Sequence, residues 1–168
     1  MKMNLRMLTV AVLLGLALVL TACGGGGASG GASGGASGGA SGGTAAATTL
    51  DIGSDGENLA FDKTTLTATA GQPVTVKFKN NSAVQQHNWV LVNGDEAVAK
   101  PIADGGLTAG VAADYLPTDQ ANVLAHSTVL NGGETGEVSF TAPAAGTYIF
   151  ICTVPGHFPL MQGTMTVN

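Results

Sequence analysis

The sequence predicts an all-β fold, a Greek-key β-sandwich or flattened barrel that carries one short helical excursion. The segment Val74–Lys79 alternates apolar and polar residues, as a half-buried strand does. Similar short segments recur along the C-terminal part of the chain, and turn-like clusters such as Asn80–Ser82, Asn131–Gly133 and Ala142–Pro143 separate them. Many short strands with frequent turn residues between them are typical of sandwiches and barrels.

Eight strands are predicted, each bounded by Gly, Pro, Asn or Asp residues. In chain order they are Thr49–Ile52, Leu66–Ala70, Val74–Lys79, His87–Val92, Val123–Leu130, Glu137–Thr141, Thr147–Cys152 and Gly163–Val167. The segment Asp95–Tyr115 shows no alternation and is rich in Ala and Gly. We therefore place the excursion and its short helix there.

The N-terminus has the features of an export signal. Lys2 and Arg6 precede the apolar run Met7–Leu20, which is shorter than the roughly 20 residues that span a bilayer. The run ends in Leu20-Thr-Ala-Cys23, which resembles the lipobox of bacterial lipoproteins, where the cysteine is lipidated and becomes the mature N-terminus. We predict a lipoprotein signal peptide over residues 1–22 and lipidation at Cys23. An ordinary cleaved signal or an uncleaved anchor are the alternatives, and both also place the domain outside the cytoplasm.

The next segment is predicted to be a flexible tether. Residues Gly24–Gly43 are almost purely Gly, Ala and Ser, with Ala-Ser-Gly-Gly repeated from Ala28 onward. Such a composition buries too little apolar surface to offset chain entropy. We assign residues 23–47 to the lipidated cysteine and tether, with an end-to-end distance of about 25–30 Å for the tether. Residues 48–168 form the single folded domain.

The net charge narrows the possible partners, and the cysteine content indicates metal ligation. Removal of Lys2 and Arg6 leaves four lysines against eleven acidic residues, a net charge of −7. An acidic surface argues against nucleic acid and against anionic lipid as electrostatic partners. The chain contains two cysteines, Cys23 and Cys152. If Cys23 is lipidated, an exported protein carries one unpaired thiol, and metal ligation would explain it.

The C-terminal region supplies a cluster of metal-binding residue types. Cys152, His157 and Met161 lie in one short loop as Cys-x4-His-x3-Met, and His87 lies upstream in Gln-His-Asn-Trp-Val. Two His and one Cys with a weak axial Met are the ligands of a blue-copper electron-transfer site. Structural zinc does not use Met, and the set leaves no open position for metal-assisted hydrolysis. We therefore predict one copper ion bound by these four residues.

Neighbouring residues are candidates for supporting roles. Asn88 follows the first His, and we predict that its side chain bonds the backbone of Cys152–Thr153; a polar residue facing a turn is the alternative. His126 is interpreted as a surface or hydrogen-bonded residue. Trp89 and Tyr148 are interpreted as core aromatics and not as electron relays.

Four segments resemble the azurins, which belong to the cupredoxin family. They are His87-Asn-Trp-Val-Leu91, Asp114-Tyr-Leu-Pro, Val123-Leu-Ala-His-Ser and Tyr148-Ile-Phe-Ile-Cys-Thr-Val-Pro-Gly-His-Phe-Pro-Leu-Met161. With the lipobox and tether added, the whole chain is similar to the auracyanins, membrane-associated blue-copper proteins of filamentous green phototrophic bacteria. The resemblance implies a cupredoxin fold, strong copper ligation by His87, Cys152 and His157, and weak axial ligation by Met161.

Two departures from the azurin pattern stand out. Azurins have a Gly before the first His, whose carbonyl approaches copper, whereas this chain has Gln86 there. We leave Gln86 out of the ligand set. Azurins also carry a disulfide near the N-terminus of the domain, which this chain cannot form with its two cysteines.

The predicted function is one-electron transport between Cu(I) and Cu(II) by a protein held at the cell membrane by a fatty-acyl anchor such as palmitate, on the periplasmic face. The resemblance implies a quinol-oxidising complex as donor and a cytochrome or reaction-centre complex as acceptor. We expect a monomer that docks through the apolar loop around His157, and we expect no enzymatic activity.

Two other functions compete with electron transport. A copper oxidase or nitrite reductase needs further copper centres, but His126 is the only histidine left over. A periplasmic copper carrier is the alternative function. Carriers favour exposed Met- and His-rich sites that release metal readily to a chelator, whereas this ligand set indicates a closed site.

Overall fold

The computed structural model describes residues 47–168, which form eight strands, one α-helix and one 3-10 turn. The strands are β1 (Thr48–Gly53), β2 (Thr65–Ala68), β3 (Pro73–Lys79), β4 (Val90–Val92), β5 (Val123–His126), β6 (Thr135–Thr141), β7 (Gly146–Ile151) and β8 (Gln162–Val167); the helix is α1 (Glu96–Ala109) and the 3-10 turn is Val111–Ala113. The predicted signal peptide, Cys23 and the tether lie outside the described residues.

The strands form two sheets, as the all-β prediction required. One sheet has the order β1-β3-β6 and the other the order β2-β8-β7-β4-β5. The pairs β1–β3 and β2–β8 are parallel, and the remaining pairs are antiparallel. In β3 the apolar residues Val74, Val76 and Phe78 are buried, while the polar residues between them are more exposed. The alternation in the sequence therefore reports the buried face of the sheet directly.

The core between the sheets is built around aromatic rings. The ring of Phe61 meets those of Phe78 and Phe150 edge-on, with centroids 5.9 and 5.2 Å away. The indole of Trp89 is fully buried and stacks on Phe140 at 6.2 Å. Edge-to-face and offset-stacked pairs are the favoured aromatic arrangements. Trp89 is thus a core residue, as predicted.

The helix occupies the predicted excursion and is longer than expected, at 14 residues. The carboxylate of Asp95 accepts hydrogen bonds from Ala97 N and Val98 N and caps its first turn. The helix ends at Gly110, which has φ of 76°. Its buried residues Ala99 and Ile102 pack in a second apolar cluster with Ile149 and Ile151 of β7. No helix among residues 47–168 has the length and apolar character needed to cross a membrane.

Most strand boundaries differ from the prediction by one or two residues, but two differ by three or more, and both of these adjoin His87 or its backbone partner Leu130. The predicted strand His87–Val92 is regular only from Val90, and the predicted strand Val123–Leu130 ends at His126. The side chain of Ser127 replaces a ladder bond there, because its Oγ accepts from Trp89 N at 3.0 Å. Side-chain partners of this kind free the backbone from the sheet ladder, and periodicity alone does not reveal them.

Candidate metal centre

Strand pairing brings the two halves of the metal centre together. β4 and β7 are antiparallel neighbours with Val90 opposite Ile151. His87 precedes β4 and Cys152 follows β7, so both lie beyond the same end of this strand pair. His87 is also fixed by a two-way backbone bridge to Leu130, with N···O distances of 3.1 and 2.8 Å.

The loop from Cys152 to Met161 is closed by its own backbone hydrogen bonds. Cys152 N donates to Met161 O at 3.0 Å, Met161 N donates to His157 O at 2.9 Å, and His157 N donates to Val154 O at 3.0 Å. These bonds fold the loop so that its first and last residues are neighbours. The predicted axial residue Met161 is fully buried beside Cys152, and its ligation stays a prediction.

Three donor atoms converge on one point. The Nδ1 atoms of His87 and His157 lie 3.1 Å apart, and Cys152 Sγ lies 3.9 and 3.4 Å from them, respectively. Metal bonds of about 2.0–2.3 Å to nitrogen and sulfur place ligand atoms around one ion roughly 3–4 Å apart. The three atoms therefore fit a single metal ion. One thiolate sulfur and two imidazole nitrogens are a ligand set that suits copper.

Burial sets the protonation behaviour of these groups. The pKa of His87 is lowered to about 4, mainly by burial and additionally by the neighbouring His157, whereas the charge of Glu57 acts in the opposite direction. Burial also lowers the pKa of His157. Both imidazoles are therefore neutral at pH 7, which is the form that binds a metal.

The thiol of Cys152 shows the opposite shift. Burial raises its pKa to about 12, although backbone hydrogen bonds from Asn88 and Val154 favour the thiolate. A buried thiol with such a pKa is inert by itself. A metal cation displaces the proton and binds the thiolate. The backbone N–H groups of Asn88 and Val154 then stabilise the negative charge on the sulfur.

Asn88 ties the two ligand-bearing segments to each other. Its Oδ1 accepts from Thr153 N at 2.8 Å, and its Nδ2 donates to Thr153 Oγ1 at 2.7 Å and to Asp114 O at 2.8 Å. The amide is fully buried. It thus uses one acceptor and two donor positions to join the residue after His87 to the residue after Cys152. A buried network with every member satisfied rigidifies its surroundings.

The structure adds residues that sequence reasoning missed. Asp114 supplies the carbonyl to Asn88, and its carboxylate accepts from Val129 N at 2.7 Å. Asp114 and Tyr115 both have φ of 52°, an unfavourable region for residues other than glycine. The Asp-Tyr-Leu-Pro motif was a sequence signal for this segment, but its link to Asn88 depends on the fold.

His126 and Gln86 lie outside the cluster of His87, Cys152 and His157. His126 is half-buried on β5, with Nδ1 3.2 Å from Ser127 O. The side chain of Gln86 points to Asn131, donating from Nε2 to Oδ1 at 2.9 Å. Within residues 47–168, one group of three His, Cys, Asp or Glu residues could hold a metal ion, and it consists of His87, Cys152 and His157.

Comparison with known proteins agrees with this geometry. A family model described as copper-binding proteins of the plastocyanin/azurin family matches residues 48–168. The chain belongs to this family. Its cofactor is copper, and the buried cluster of His87, Cys152 and His157 is the type 1 copper site. It is accordingly a blue-copper electron-transfer protein.

Individual members of the plastocyanin/azurin family place the chain more closely. It is 62% identical to Auracyanin-A of Chloroflexus aurantiacus over 168 residues, 100% of both chains. It is 34% identical to the azurin of Pseudomonas fluorescens biotype C over 126 residues, 72% of this chain and 94% of the azurin. The solved structure of auracyanin A, titled a "blue" copper protein from Chloroflexus aurantiacus, superposes with a TM-score of 0.72 at 66% identity, covering 73% of this chain and 100% of that one. The predicted resemblance to auracyanins and the predicted cupredoxin fold are confirmed.

Proposed function

We propose that this copper protein is a lipid-anchored one-electron shuttle on the extracytoplasmic face of the cytoplasmic membrane. It accepts an electron from a quinol-oxidising complex, passes it to a cytochrome or reaction-centre complex, and consumes no substrate. The observation that carries the proposal is the closed site itself. His87, Cys152 and Met161 are fully buried, and His157 is 8% exposed.

The protein's own residues keep the site unchanged between the two oxidation states. Bound copper supplies the change between Cu(I) and Cu(II). The Asn88 amide and the bonded loop from Cys152 to Met161 hold the ligands where they are. Buried apolar neighbours exclude water from the cluster. A site that does not rearrange keeps the cost of each transfer low, whereas a copper carrier has to open in order to release its metal.

The anchoring proposal is supported by the N-terminal sequence. The Leu-Thr-Ala-Cys23 motif follows an apolar run of signal-peptide length. The similarity to Auracyanin-A extends over all 168 residues and so includes this region. A single acyl chain binds membranes only marginally, so stable anchoring at Cys23 needs more than one.

The anchor can be tested on the mature protein isolated from membranes. We expect intact mass and peptide analysis to place the N-terminus at Cys23 with acyl chains attached, and the protein to enter the detergent-rich phase. The Cys23→Ser variant should carry no acyl group. A mature protein that starts at another residue, or an unmodified Cys23, would contradict lipid anchoring.

His157 is the proposed port for the electron, because it is the ligand with the greatest exposure. The loop around it presents apolar residues to solvent: Pro155, Pro159 and Leu160 are exposed and Phe158 is half-buried. We call these four residues the loop patch. Exposed apolar patches mark interaction sites, and redox encounters use small, weak interfaces. A monomer whose loop patch docks transiently on each redox partner fits these features. The acidic surface leaves nucleic acid out of the proposed partners.

Leu160 offers the test of this docking. Its side chain is 68% exposed, so Leu160→Asp removes apolar contact area and adds a charge without disturbing the core. We expect the rate of electron exchange with the isolated partner complex to fall about tenfold or more, while the visible spectrum stays the same.

The matched control is Thr67→Asp, which adds the same charge at an exposed position of β2. That strand carries no metal ligand. Docking through the loop patch would be wrong if both variants reacted at the rate of the unmodified protein, or if both were slowed equally.

A further inference from the structure

The carboxylate of Glu57 is fastened to the loop that leads into His87. Glu57 lies between β1 and β2. Its Oε1 accepts from Ala83 N at 2.6 Å, and its Oε2 accepts from Ser82 Oγ at 2.8 Å. Its backbone carbonyl also accepts from Gln85 Nε2 at 2.8 Å. Three hydrogen bonds thus join one acidic residue to a segment about 25 positions further along the chain.

The segment that receives these bonds is itself well ordered. The buried hydroxyl of Ser82 accepts from Val84 N at 3.1 Å and from Gln85 N at 2.7 Å. The buried amide of Asn80 donates to Gln85 O at 2.8 Å and to Leu130 O at 2.9 Å. Leu130 is in turn the backbone partner of His87. The Glu57 carboxylate is therefore held at a fixed place relative to a copper ligand.

In the part of the chain that the structure describes, no cationic side chain forms an ion pair with Glu57. Among residues 47–168 the ion pairs are Lys77–Glu137 and Lys100–Asp104. The hydrogen bonds from Ala83 and Ser82 keep the pKa of Glu57 below its usual value, so the carboxylate is ionised at neutral pH. Ala83, which donates to the carboxylate, is four residues before His87, so the chain between them spans at most about 14 Å. The carboxylate is therefore close enough for Coulomb attraction to act on a positive charge bound at His87.

We propose that Glu57 is a positioning residue that lowers the reduction potential of the copper site. Reduction adds one electron and removes one unit of positive charge from the site, with no proton transferred. A fixed carboxylate near His87 stabilises the more positive, oxidised state by Coulomb attraction. The proposal depends on the copper site alone, and neither the lipid anchor nor a particular partner enters it.

The test compares reduction potentials of the copper-loaded full-length protein in detergent. Glu57→Gln removes the charge and keeps the size of the side chain. At low salt we expect the redox equilibrium to shift about threefold toward Cu(I), which is a rise of about 28 mV because tenfold is 59 mV for one electron. The ligands are unchanged, so the visible band should stay in place.

Salt separates a charge effect from a structural one. The Debye length falls from about 30 Å at 0.01 M to about 3 Å at 1 M ionic strength. Because the carboxylate is exposed to solvent, most of the difference between Glu57→Gln and the unmodified protein should disappear at high salt. A shift of equal size at both ionic strengths would overturn the proposal, because lost hydrogen bonds would not respond to screening.

Two variants serve as controls. Glu96→Gln removes one exposed charge at the start of α1 and should leave the potential unchanged. Ser82→Ala breaks one hydrogen bond and keeps the charge, so its shift should be smaller than that of Glu57→Gln. The proposal is overturned if Glu57→Gln shifts the potential no more than Glu96→Gln, or if Ser82→Ala shifts it as much as Glu57→Gln.

Discussion

Replacing Cys152 with serine should abolish the intense blue thiolate-to-Cu(II) absorption band. A hydroxyl is a harder ligand than a thiolate and stays protonated, so it cannot replace the soft sulfur that copper prefers. Changes to residues that only support metal ligands cost about 10–100-fold in affinity, and the loss of a ligand should weaken copper binding by more than about 100-fold. Copper titration of residues 44–168, followed by visible absorption and EPR, measures both effects.

The control for this change is His126→Gln, because His126 lies on β5 outside the metal cluster. That variant should keep the full blue band and its reversible loss on reduction. Serine is close to cysteine in size, so circular dichroism should show that the Cys152→Ser variant is folded. A folded Cys152→Ser protein that still turned blue with copper would refute the assigned site.

Replacing Gly106 with alanine should destabilise the domain, although alanine is the better helix former by about 1 kcal/mol. A Cβ at this position would lie 2.1 Å from Tyr115 O and 3.2 Å from Thr153 O. Both are backbone atoms, so neither can swing aside as a side chain can. Overpacking of this kind typically costs 1–3 kcal/mol and occasionally more. We expect a loss of about 3 kcal/mol in the free energy of unfolding, measured by urea denaturation of the metal-free domain.

The Gly106→Ala substitution should also change the geometry of the copper site. Thr153 follows Cys152 and holds the Asn88 amide, so displacing its carbonyl should shift the blue band of the copper-loaded form. Thr108→Ala, at an exposed position of the same helix, should leave both stability and spectrum nearly unchanged. If Gly106→Ala proved as stable as Thr108→Ala, the close packing of α1 on the Tyr115 and Thr153 backbones would be wrong.

Local patterns in the sequence predicted most of the fold. The alternation in Val74–Lys79 and the turn residues between strands depend on neighbours only a few positions apart, and they located every strand. The strands that begin at His87 and Val123 were predicted too long. One ladder bond between these two segments is replaced by the side chain of Ser127, which is 38 residues from Trp89 in the chain.

In the copper site, too, features that depend on near neighbours in the chain were predicted, and contacts between distant residues were not. Cys152, His157 and Met161 are close in sequence, so their spacing alone indicates which chemistry they can support. His87 was found because its residue type completes a known ligand set. The hydrogen-bonding roles of Asp114 and Glu57 were not predicted, since an acidic residue in a loop has no local signature of the group that it will bond.

The ligand types, the all-β pattern and the metal that suits the site could thus be predicted, because they follow from side-chain chemistry and short-range periodicity. The way in which the ligands are held depends instead on contacts that the folded protein creates. Asn88 bonds to Thr153, Glu57 bonds to Ser82, and Gly106 packs against Tyr115. The first two contacts join residues far apart in the chain, and all three exist only after the two sheets and the helix have packed together. The free energy that brings such groups together comes from burying the whole core, which no single motif encodes.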